Sequence, residues 1–159
     1  MNKLKASTDY GTRFILYLAM LEDGEKRTSK QASEDLNIPR DYLVQLASRM
    51  HRAGIVDAKV GVSGGYRLAK SPSEITVCEL LDVREQYGMK TRKLADISNP
   101  DIARILELQK MALSCMETFM DSITVQDILD AESHEMAFDA IIARKMIETG
   151  SKIAESLPR

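Results

Sequence analysis

A mainly α-helical chain with one small β-hairpin is predicted from three observations. Residues 29–36 and 39–52 carry two short helical patterns separated by Asn37-Ile38-Pro39. Residues 55–68 hold two strand-like runs around a glycine-rich turn, GVSGG. From Ile102 to Ile123 apolar residues recur at steps of three and four, the rhythm of a long helix that packs along its length. Two helices followed by a hairpin give a winged helix-turn-helix, and the long helix is added to it.

Taken in order, the first helix is predicted over residues 3–21, where Leu4, Tyr10, Phe14, Leu16 to Ala19 and Leu21 form a broad apolar stripe and Gly24 marks the end. Glu22 to Arg27 is a charged loop. Thr28 or Ser29 caps the second helix, and Asn37-Ile38-Pro39 stops it because a residue before proline is pushed out of the helical region. Pro39, as a first helical residue, starts the third helix, whose Leu43, Leu46, Ala47 and Met50 share one buried face. Its outer face carries Arg40, Asp41, Gln45, Ser48, Arg49 and Arg52, and Ala53-Gly54 ends it. Ile55 to Val60 and Gly65 to Leu68 are the strands. Lys70 to Ser73 is a turn, and Ile75 to Val83 reads as a helix closing the winged part, with Ser73 or Thr76 near its start. Asn99-Pro100-Asp101 starts the long helix. Thr124 to Leu129 is a short helix, and residues 133–157 are one more amphipathic helix, broken or bent near Gly150. The expected organisation is a winged helix-turn-helix over 1–83, a linker or sensor loop over 84–99, the long and following short helix over 100–130, and a helical extension over 131–159.

In a helix-turn-helix the start of the third helix reaches base edges in the major groove. Arg40, Asp41 and Gln45 are the expected readers there: Arg takes guanine O6 and N7, Gln takes adenine N6 and N7, and a carboxylate accepts from the cytosine amine. Arg49 lies farther along the same face. Ser29, Lys30 and Gln31 stand at a helix N-terminus, whose N–H groups suit phosphate. Lys59, Ser63, Gly64 and Gly65 of the hairpin can reach the flanking groove. Tyr42 is expected to pack.

The segments DYLVQLASRMHRAGIV and GVSGGYRLAKSPSEITV, with Tyr10 before them, resemble the Rrf-two family of bacterial transcription regulators over residues 1–83, and the remainder resembles it in architecture. The resemblance implies that the first helix begins beside the DNA backbone, which makes Lys3 and Lys5 candidate phosphate contacts. It also implies an arginine before the first wing glycine, where this chain has Val60, and an acidic residue modulating specificity in some members, where this chain has Val44. Val44 instead suggests a thymine-methyl or shape contact. Cluster-binding members place three cysteines in the segment equivalent to 84–99, REQYGMKTRKLADISN, which here has none, so no [2Fe–2S] centre is expected. The long helix corresponds to the one that crosses its two-fold mate. Ile102, Ile105, Leu106, Gln109, Leu113, Met116, Met120 and Ile123 are then the dimer interface, and two reading helices match a palindromic operator. The alternative, packing within one chain, leaves a small winged domain to cover a very long stripe.

The net charge of −2 hides an asymmetry: residues 1–76 hold 12 Lys and Arg against 9 Asp and Glu, and the remainder 10 against 15. No apolar run approaches a membrane span and the N-terminus lacks the apolar block of a secretory signal, so a cytoplasmic protein is expected. Cys78 and Cys115 make no disulfide framework and no metal knuckle. Neither His51 nor His134 has a nearby Cys or second His at metal spacing, His134, Glu135 and Asp139 only partly share a face and read as a solvated helix surface, and GVSGG lacks phosphate-loop spacing, so no enzyme, metal or cofactor is expected. Cys115 on the dimer helix is a candidate oxidation switch, against a buried apolar role. Tyr87, Met89, Leu94 and Ile97 are the candidate loop for a small-molecule or protein effector. Two functions stay open: a homodimeric DNA-binding repressor, and a winged interaction module that has lost DNA binding.

Overall fold

The computed structural model describes residues 6–61, 64–81, 100–133 and 138–156, and the chain divides into two compact units, Met1–Ile75 and Thr76–Arg159. The division falls before the helix that follows the hairpin. Lys3, Lys5, Ser63, Tyr87, Met89, Leu94, Ile97 and His134 lie outside the described residues.

In the first unit, α1 spans Ala6–Ala19 and buries Phe14, Ile15 and Leu18. It stops short of the predicted Leu21, whose N–H bonds the Leu18 carbonyl in a tighter turn, and Gly24 follows at φ 81°. Helix α2 spans Ser29–Leu36. Thr28, of the two candidate caps, forms a capping box: Gln31 N–H donates to Thr28 Oγ1 at 3.2 Å and Thr28 N–H donates to Gln31 Oε1 at 3.0 Å. The stop is made by Asn37 in the left-handed region (φ 52°, ψ 47°), not by the residue before proline. Asn37 N–H bonds Glu34 O, Ile38 N–H bonds Ser33 O, and Ser33 Oγ donates back to Ile38 O at 2.7 Å.

Helix α3 spans Arg40–Arg52, so Pro39 is the cap and not the first helical residue. Its ψ of 129° is extended, yet its carbonyl already accepts the Leu43 N–H at 2.9 Å. Gly54, at φ 72°, turns the chain at the other end, where Ile55 N–H bonds Met50 O and Gly54 N–H bonds His51 O. Both helices of the motif thus end in the same way, once with Asn and once with Gly. Leu43, Leu46 and Ala47 point into the core with Ala32, Ile38 and Val56.

The hairpin pairs β1 (Val56–Lys59) with β2 (Gly65–Leu68), antiparallel, in the register Val56↔Leu68 to Lys59↔Gly65. The first strand is shorter at both ends than the predicted Ile55–Val60. Arg27 adds a third, single-residue rung: Arg27 N–H donates to Tyr66 O at 3.0 Å and Tyr66 N–H to Arg27 O at 2.8 Å. That rung explains Gly65, because a Cβ there would stand 2.9 Å from the Arg27 carbonyl oxygen. The Phe14 ring meets Tyr66 edge-on, 5.6 Å between centroids, and so packs the hairpin on α1.

In the second unit, α4 is Val77–Leu81, capped by Thr76, whose Oγ1 accepts from Glu79 N–H at 3.3 Å. Helix α5 spans Pro100–Asp121, with Pro100 as its first residue. Helices α6 and α7 span Val125–Ser133 and Phe138–Ser156. Helix α7 runs through Gly150 without the break that was one of the two expectations there; in helical surroundings glycine costs only about 1 kcal/mol relative to alanine, too little by itself to end a helix. Helix α5 contacts α4 and α7, and α6 contacts α7. Thr76 Oγ1 donates to Asp121 Oδ1 at 3.0 Å, and Val77 N–H to Ile123 O at 2.8 Å, which fastens α4 to the end of α5.

Candidate nucleic-acid interface

The buried residues of α3 fix what faces outward. With Leu43, Leu46 and Ala47 in the core, helical geometry sends Arg40, Asp41, Val44, Gln45, Ser48, Arg49 and Arg52 into solvent as one stripe. Tyr42, Val44, Gln45, Ser48, Arg49 and Arg52 line a shallow open depression. Tyr42 packs its ring edge-on against Tyr10, 5.5 Å between centroids, and so supports the stripe from one side.

The other sequence candidates fall around it. Ser29 is in the first turn of α2, and its Oγ accepts from Arg40 Nε at 3.0 Å. Lys30 is exposed, with Nζ 4.0 Å from Glu34. Gln31 is exposed, but its Oε1 is turned back into the capping box. Lys59 is exposed at the end of β1, and Val60 after it is fully exposed. Gly64 closes the turn so tightly that a Cβ would stand 2.4 Å from the Lys59 carbonyl oxygen. Asp57 and Arg67 face each other across the strands at 2.8 Å, and that guanidinium holds the Asp57 carboxyl below the usual carboxylate range. Burial raises the Tyr66 hydroxyl, against the opposing pull of Arg40.

Helix α5 buries none of its residues completely. Ile102, Ile105, Leu108 and Met111 are 41–66% exposed, whereas Leu106, Leu113, Met116 and Met120 are half-buried. Gln109 is exposed. Ile123 lies beyond the helix and is 4% exposed, so it belongs to the interior of its own unit. Sequence periodicity missed Leu108 and Met111, which lie at i+3 and i+6 from Ile105 on the uncovered face. It also missed the rung made by Arg27.

Neither cysteine is in a disulfide; Cys78 is buried and Cys115 half-buried. Among the described residues, metal-ligating atoms gather at one place: those of Cys78, Glu117 and Asp121 lie within 4.8 Å of one another. Glu117 and Asp121 are four apart on one helix and are neighbours by that spacing alone. Asp121 already accepts the Thr76 hydroxyl. No described helix is long and apolar enough to cross a membrane.

Residues 4–131 match the family described as Rrf2, iron-dependent transcriptional regulator. Among solved structures, T. potens IscR is 28% identical, over 86% of this chain and 93% of that one, with a TM-score of 0.61. CymR (YrzC), the global cysteine regulator of B. subtilis, is 26% identical, over 80% of this chain and 96% of that one, also at 0.61. The family match covers the hairpin, both helices of the motif and the long helix, and the chain belongs to the Rrf2 family of transcription regulators.

Proposed function

We propose that the chain is a bacterial, cytoplasmic, homodimeric repressor that binds a palindromic operator and works without an iron–sulfur cluster. One observation carries this reading: the outward stripe of α3, with Arg40, Asp41, Gln45 and Arg49 exposed over a buried Leu43-Leu46-Ala47 face. Side chains of these types read base edges when a helix lies in the major groove, and Ser29 and Lys30 add donors beside it. Dimerisation is supported by α5, whose exposed Ile102, Ile105, Leu108 and Met111 make an apolar face of the kind that marks a protein interface.

The family description names iron, and the residues present do not fit an iron–sulfur cluster. A [2Fe–2S] centre draws mainly on thiolates, and the chain has two cysteines, neither of them between residues 84 and 99. Cys78 gathers with two carboxylates, which is not a cluster's donor set.

Val60 favours the second reading, an interaction module without DNA binding, because it puts an apolar side chain where a wing would present a cation. Titration of the protein against duplex fragments of its own promoter at two salt concentrations separates the two. The repressor loses affinity steeply as salt rises; the absence of any shift at low salt leaves the interaction module.

A further inference from the structure

Every residue of the outward stripe of α3 is polar except Val44. It is 43% exposed at the middle of the stripe, one turn from both Asp41 and Ser48 and next to Gln45. It also lines the depression that Gln45, Ser48, Arg49 and Arg52 surround. In a helix-turn-helix the N-terminal residues of the second helix reach base edges, and Val44 is the fifth residue of α3. The apolar group that the major groove offers is the C5-methyl of thymine.

Resting on the DNA-binding reading above, we propose that Val44 seats a thymine methyl and makes α3 a reader of A·T pairs. Gln45 supports the same preference, since its amide matches adenine N6 and N7. Arg40, held at Nε by Ser29, keeps its terminal nitrogens for a neighbouring base or phosphate.

The test uses the full chain and a duplex selected by it from a random pool. Each thymine of that site is replaced singly by deoxyuridine, which removes the methyl and nothing else. The wild type loses roughly three- to fivefold in affinity at one thymine per half-site, the worth of one buried methyl, and Val44→Ala loses nothing further there. If every deoxyuridine duplex binds like its parent, or the loss persists in Val44→Ala, the assignment of Val44 is overturned while DNA binding stands. Failure to select any duplex at low salt overturns both. Because Val44 is exposed, Val44→Ala leaves the fold intact, and the deoxyuridine series needs no variant.

Discussion

Arg40 donates from Nε to Ser29 Oγ at 3.0 Å, joining the first turn of α3 to the first turn of α2. The bond restrains a long cationic side chain that otherwise samples many rotamers. Ser29→Ala is expected to weaken duplex binding by roughly two- to fivefold through that lost restraint, and to change thermal stability by less than about 0.5 kcal/mol. Fluorescence anisotropy and thermal unfolding on the same sample measure the two effects.

Asn37 reverses the chain between the helices of the motif at φ 52°. Asn37→Gly keeps or raises stability, whereas Asn37→Val, with a β-branched side chain in the left-handed region, costs about 1–2 kcal/mol. Urea midpoints of the two variants should fall on opposite sides of the wild type, or the wild type should match Gly.

The left-handed turns also show what sequence makes legible. Thr28, Asn37 and Gly54 stand at helix ends because their chemistry favours such places, so the two helices of the motif could be bounded to within a residue from composition and spacing. The reading stripe followed from the buried Leu43-Leu46-Ala47 face by geometry. Long-range features were not legible. Nothing near Arg27 marks it as a strand partner of Tyr66, 39 residues away. Helix α5 is apolar over a wide arc, and periodicity cannot say which part its own chain covers; Leu106 and Met116 turned out half-buried and Leu108 and Met111 exposed. Ile123 continued the rhythm beyond the helix, where it serves a core instead.

Gly65 sits 2.9 Å, measured from an added Cβ, from backbone that has no freedom to withdraw. Gly65→Ala should cost about 1–3 kcal/mol and break the Arg27–Tyr66 rung first. Amide exchange at Arg27 and Tyr66 should accelerate more than exchange within α3.

Burial pushes the Asp127 carboxyl up, but hydrogen bonds from the Thr124 N–H and hydroxyl, with the Lys145 ammonium at 3.1 Å, outweigh it and hold the group below its ordinary 3.8. A lowered folded value means that the stabilisation is fully present above the unfolded value and is lost as pH falls through the folded one. Asp127→Asn should therefore be less stable than the wild type above about pH 5, with the gap closing as the pH drops below 3.8. Denaturant midpoints from pH 7 to pH 3 test this, and a gap independent of pH would contradict it.

In the homodimer proposed above, a charge on the uncovered face of α5 should divide the two copies without unfolding the chain. Leu108→Glu replaces an exposed apolar residue, so the single chain keeps its helix content while the particle mass in light scattering halves. Leu113→Glu, on the half-buried side, should instead lower the unfolding midpoint.

The rung between Arg27 and Tyr66 has a mechanical consequence. The segment entering α2 is stitched to β2, and the Phe14–Tyr66 contact clamps that strand to α1, so the hairpin, α1 and the start of α2 are tied into one plate. A stimulus acting on such a plate is expected to tilt it or carry it sideways as a body. For the repressor proposed above, switching would then alter where two such plates are held rather than what each one spells.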